Sequence, residues 1–148
     1  MKETVVYDKA SYHYTGNYPS DLDPDQAFVH IGMFFGWLCE RKLLTNEMLD
    51  DFPLQVALFL NRKITGPQLI RIAGGVITSD MLNEMGNAFC SAYFCHPSGG
   101  FVRDYFDVLA KDLPSIYHVS DTWINYEMLR NCMDSRYQQY LSENGHDP

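Results

Sequence analysis

The sequence is poor in positive charge. Eleven lysines and arginines stand against nineteen aspartates and glutamates in 148 residues, for a net charge of −8. Such a chain has little electrostatic grip on a phosphate backbone, which argues against nucleic acid as a partner. Long hydrophobic runs are missing too. The most apolar stretch, AFVHIGMFFGWLC from Ala27 to Cys39, is shorter than the ~20 residues that cross a bilayer. Asp25, Glu40, Arg41 and Lys42 bracket it closely, so it is expected as a buried helix with no membrane role. Cysteine is scarce, and Cys39, Cys90, Cys95 and Cys132 show neither a disulfide framework nor the C-x(2–4)-C spacing of a structural zinc site. Each lies in an apolar or amphipathic stretch, where a free thiol behaves as a small buried hydrophobe. No metal ligands and no cofactor are therefore predicted. The opening MKETVVYDKA has no apolar core of a secretory signal, and with reduced thiols this points to the cytoplasm. Also absent are G-x-S-x-G, the P-loop, G-x-G-x-x-G and H-E-x-x-H. Without a nucleophile beside a base, or a matched acid–base pair, the chain reads as non-enzymatic.

What is present is the composition of a folded domain. Hydrophobic residues make up 46% of the chain and charged ones only 20%, which excludes a disordered segment. The length suits one globular domain spanning residues 1–148. Asp23, Pro24 and Asp25 open the apolar helix, as a cap, a first-turn proline and an acid at the positive end of the dipole. Within it Gly32 and Gly36 share a face and imply close approach of another backbone. Thr45 caps a short turn through Asp51, Pro53 opens a helix to about Asn61 with Val56, Leu58, Phe59 and Leu60 inward, and Thr65 starts a helix ended by Gly74 and Gly75. Ser79 is expected to cap DMLNEMGNAFCSAYF, and Ser120 a final helix whose stripe of Tyr126, Leu129, Met133, Tyr137 and Tyr140 faces inward. Strand signals are confined to ETVVY and SIYHV. The fold class predicted is mainly α: a single compact domain of five or six helices, with an irregular tyrosine-rich arm over 1–23 and a flexible tail over 143–148 that contains His146.

Three groups of residues could carry function. The first lies in SYHYTGNYPSDLD, where large rings with polar tips can clamp an irregular strand or form an interface. Here His13 and Tyr14 stand out, together with His30 inside the apolar helix, whose ring is expected to be buried, neutral and hydrogen-bonded. The second is Asn83, Glu84 and Asn87, a polar cluster read as one helical face, able to bind a polar ligand or to tie the helix to a neighbouring loop. The third is acidic. Residues 75–148 hold ten acids and four bases against nine and seven in residues 1–74. Asp104, Asp107, Asp112, Glu127 and Asp134 are expected to point to solvent and to steer a basic partner.

The stretches YDKASYHYTGNYPSDL, AFVHIGMFFGW, ITGPQL, ITSDMLNEMGNAF and YHVSDTWINYEML, in that order, resemble an uncharacterised family of small bacterial proteins. The chain departs from that pattern at Gly74 and Gly75, where a more polar stretch is expected. The resemblance carries over no active site. It implies a small acidic cytoplasmic protein associated with contact-dependent toxin systems, serving as an immunity protein. The leading expectation is thus a protein that binds a basic toxin domain. The alternative is a small-ligand binder or enzyme with a site between the arm and the helix around Asn83 and Asn87, using His13, Tyr14 and His30.

Overall fold

The computed structural model of the chain describes residues 3–145. Of the predicted tail, Glu143 belongs to the last helix, and residues 146–148, His146 included, lie outside the described residues. The architecture is mainly helical with one small sheet. Strand β1 (Val6–Lys9) runs into a one-turn helix α1 (Ala10–Tyr14), and a 3-10 turn (Pro24–Ala27) leads into α2 (Phe28–Glu40). Helices α3 (Asn46–Asp51), α4 (Pro53–Leu60) and α5 (Gly66–Ile72) follow, then strand β2 (Val76–Thr78) and a 3-10 turn (Ser79–Met81). Next come α6 (Glu84–Ala92), α7 (Gly100–Tyr105), a π-helical turn (Phe106–Ala110), a 3-10 turn (Ile116–His118) and the long α8 (Trp123–Glu143). The arm expected to be irregular thus contributes a strand and a helical turn. β1 pairs antiparallel with β2, with a register shift between Val6 and Asp8. β2 was not predicted, because three residues are too few to show alternation. SIYHV forms a 3-10 turn, with the Ser115 side chain accepting from the Tyr117 N–H.

Helix α2 is the axis of the molecule, and every residue from Val29 to Cys39 is buried. Its closest neighbour is α5. A Cβ added to Gly32 would lie 2.2 Å from Pro67 Cα, and one added to Gly36 would lie 2.7 Å from the Phe59 ring. The glycines are there because the α5 backbone and Phe59 occupy the space side chains would need. In the core Phe34, Phe35, Trp37, Phe59, Phe89 and Phe101 are fully buried, each worth about 1.5–3 kcal/mol in apolar transfer. On α4 only Phe59 is buried, while Leu60 is half exposed, because α4 touches the core along one edge.

Caps fix the helix starts. Thr45 caps α3, and Thr65 caps α5 in a reciprocal box with Gln68. The caps expected at Ser79 and Ser120 fall instead at Asn83 and Thr122. The chain is extended at Leu82 and again at Thr122, so each long helix starts later than its first serine suggests. The predicted stripe on α8 holds: Tyr126, Leu129 and Met133 are buried, and Tyr137 and Tyr140 pack against the core. Among the described residues, no helix is long and apolar enough to cross a membrane.

Candidate functional site

Two tyrosines of the arm dock it, one on the turn that carries Tyr117 and the other on α6. Tyr18 donates to the Asp23 carbonyl at 2.7 Å and packs on Tyr117 with ring centroids 4.9 Å apart, while Tyr7 donates to Asn87 Oδ1 at 2.7 Å. Tyr12 and Tyr14 remain exposed. Gln26 donates to the carbonyls of Tyr117 and Val119, which fixes the Ile116–His118 turn over the arm. This packing brings together three side chains from three elements. His13 Nε2 lies 2.8 Å from Asp8 Oδ1, His30 Nε2 lies 3.3 Å from Asp8 Oδ2, and the two Nε2 atoms are 3.2 Å apart. Tyr117 Oη lies 2.7 Å from His13 Nδ1, and the Lys9 N–H donates to Asp8 Oδ1 at 2.8 Å.

Asp8 and His30 are buried, and their protonation follows from it. Burial alone would raise the Asp8 carboxyl, but the His13 and His30 hydrogen bonds outweigh it and hold the group well below the usual carboxylate range. Burial lowers His30, with the bond to Asp8 opposing it only in part, so the ring is neutral near pH 7. His30 is therefore the buried, hydrogen-bonded ring its position in α2 suggests. Two imidazoles and a carboxylate converging in this way could hold a metal ion.

The other predicted polar cluster does not join them. Asn83 precedes α6 as its cap, accepting from the Gly86 N–H, and its amide donates to the Lys42 carbonyl at 2.8 Å. It therefore does not share a helix face with Asn87, because the helix begins at Glu84. Glu84 is exposed in the first turn. Asn87 donates to the Ser79 and Leu82 carbonyls and accepts from Tyr7, so it ties α6 to β1 and the turn before it. Tyr7 and Asp8 part at the register shift in β1, one serving Asn87 and the other the histidines.

The acidic residues are also distributed differently from the expectation. Asp104 is buried. Its carboxylate accepts from Tyr93 Oη at 2.7 Å and from Arg136 Nε and Nη2 at 2.9 and 3.0 Å. Burial would raise this carboxyl, but Arg136 and Tyr93 hold it below its ordinary value. Asp134 accepts from Trp37 Nε1 at 2.9 Å and forms a two-pronged pair with Arg41. Burial opposes its ionisation, and the Arg41 and Trp37 bonds prevail and hold the carboxyl low. Glu127 pairs with Arg62 at 2.7 Å on the surface. Asp107 and Asp112 are exposed, Asp107 4.0 Å from Arg103. The bases scarce in the sequence are thus spent on most of these acids, which weakens the free negative field.

Asp104 and Asp107 line an open cleft of about 500 Å³ between α6, α7 and α8. Phe89 and Tyr93 stack in it with centroids 5.1 Å apart, and Tyr140 meets Phe89 edge-on at 5.4 Å. Arg103, Asp107 and Glu143 stand at its charged rim.

A family model described as a domain of unknown function, DUF7832, matches residues 6–119, more than half of the chain. No curated protein and no solved structure matches it.

Proposed function

The chain belongs to the DUF7832 family, and we propose that it is a cytoplasmic protein-binding protein that takes an anchor side chain of its partner into the cleft between α6, α7 and α8. The observation that carries this reading is the pairing of an aromatic floor with a charged rim. Tyr140, packed edge-on against the buried Phe89, lines the cleft with Asp107 and Glu143, beside Arg103 and the Asp104-paired Arg136. A lysine or arginine anchor would gain cation–π and carboxylate contacts at once. An apolar centre with a polar rim is also the usual anatomy of a binding hot spot. A basic toxin domain is the partner class we propose, with the chain occluding it as an immunity protein. Because most of the other acids are engaged within the chain, the cleft itself, more than a broad negative field, would provide recognition.

Co-expression with the variable C-terminal domain of a neighbouring secreted protein tests this reading. The parent should form a complex and protect the cell. Tyr140→Ala combined with Glu143→Lys should abolish both while leaving the circular dichroism spectrum intact. Full protection by that double variant, or no complex with the parent, overturns the proposal.

A further inference from the structure

We propose that Asp8, His13 and His30 form a site for a divalent first-row metal ion, with zinc as the ion that fits the ligand set. This site is independent of the cleft.

The donor atoms of the three residues converge. His13 Nε2 lies 2.8 Å from Asp8 Oδ1, His30 Nε2 lies 3.3 Å from Asp8 Oδ2, and the two Nε2 atoms are 3.2 Å apart. Donors bound to one zinc ion at about 2.0–2.2 Å with tetrahedral angles lie ~3.3 Å from each other. The 3.2 and 3.3 Å separations match that spacing, and the 2.8 Å one would have to open to reach it. Two Nε2–H groups donating to separate Asp8 oxygens would hold the cluster without an ion, and a cation that takes the place of those protons would use the same lone pairs.

The surroundings supply what ligation requires. Zinc takes a deprotonated carboxylate and neutral imidazoles, the groups that Asp8, His13 and His30 bring within reach of one another. With a metal on Nε2, the His13 proton moves to Nδ1, where Tyr117 Oη at 2.7 Å accepts it and fixes the ring plane. The Lys9 N–H donates to Asp8 Oδ1, the oxygen that faces His13, and steadies the carboxylate. The His13 side chain is 20% exposed and that of His30 1%, so an ion enters from the arm side and finds its innermost ligand already buried. Three protein ligands leave a fourth tetrahedral position for water or a small oxygen donor. The ligands come from β1, α1 and α2, so a bound ion would also clamp the arm to the central helix.

The test uses the full chain, stripped with a chelator and then titrated with Zn²⁺ by calorimetry and with Co²⁺ by visible absorption. One ion per chain should bind. Co²⁺ should give the d–d bands of a low-coordinate nitrogen–oxygen site, and NMR should show two histidine rings shifted together. His13→Gln and Asp8→Asn should each weaken binding by more than about a hundredfold, and Tyr117→Phe by about tenfold. His118→Gln, which changes a histidine paired with Asp21 and Ser115, should leave it unchanged. Absence of stoichiometric binding to the parent overturns the proposal whatever the variants do, and leaves a hydrogen-bonded cluster only. So does binding that survives in His13→Gln and Asp8→Asn, or that is lost equally in His118→Gln. None of these results bears on the cleft, which is read out by complex formation.

Discussion

Gly32 and Gly66 meet backbone to backbone across the α2–α5 interface. A Cβ on Gly66 would lie 2.3 Å from the Gly32 carbonyl oxygen, and one on Gly32 would lie 2.8 Å from the Gly66 carbonyl carbon. Neither helix can give way without opening the core, because both contacts are with main chain. Gly32→Ala and Gly66→Ala should therefore each destabilise the fold by about 3 kcal/mol. Gly74→Ala, where nothing lies within 4 Å and only the positive φ resists, should cost about 1 kcal/mol. Chemical denaturation of the three variants measures this. Equal losses at all three positions would show that the close approach is not what selects glycine.

The Asp104–Arg136 pair carries a pH dependence whose sign is fixed. The folded carboxyl titrates below its ordinary value, so above about pH 5 it is ionised in both folded and unfolded chains and its contribution is complete. As pH falls further the unfolded chain takes up a proton first, and the contribution is lost. Asp104→Asn should cost about 2 kcal/mol near pH 7 and flatten the decline of stability below about pH 5. Asp8 and Asp134, also held low, should keep a residual slope. Urea midpoints across that range check it, and parallel curves for parent and variant would contradict it.

The four thiols should separate cleanly by reactivity. Burial pushes the Cys39 thiol up to about 11 and Cys90 further still, whereas Cys95 is exposed and Cys132 half-buried. Because the thiolate is the reacting species, a disulfide reagent near pH 8 should modify Cys95 first and Cys132 more slowly. Cys39 and Cys90 should react only after unfolding. Peptide mapping after timed quenching reads the order, and early modification of Cys90 would contradict the packing of α6.

The caps at Asp23, Thr45 and Thr65, the glycine approach and the apolar stripe of α8 were legible because each is written in a few adjacent or regularly spaced residues. Asp8 was not, for the reverse reason. It is one acid in a short strand, and nothing in YDKASYHY says that Asp8 will meet a histidine of α2. The absence of Cys pairs hid the same possibility, since a carboxylate–imidazole set needs no fixed spacing. Asp104 and Asp134 were misread as solvated. Their helical positions allow solvent, but Arg136, Tyr93, Arg41 and Trp37 reach them only in three dimensions. Asn83 was placed on a face because a helix read from Ser79 leaves no room for the extended Leu82.

The pairing of β1 with β2 has a consequence for how the chain is made. Val6 cannot find Thr78 until α2 to α5 have been synthesised, and His13 cannot find Tyr117 until well after that. Closing loops of this length costs entropy that only the finished contacts repay. On the ribosome, then, the arm emerges early and stays undocked while the central helices collapse around Gly32 and Gly66. Arrest peptides placed at increasing distances along the chain should record a first pulling event near the end of α5 and a later one once the segment carrying Tyr117 has cleared the exit tunnel.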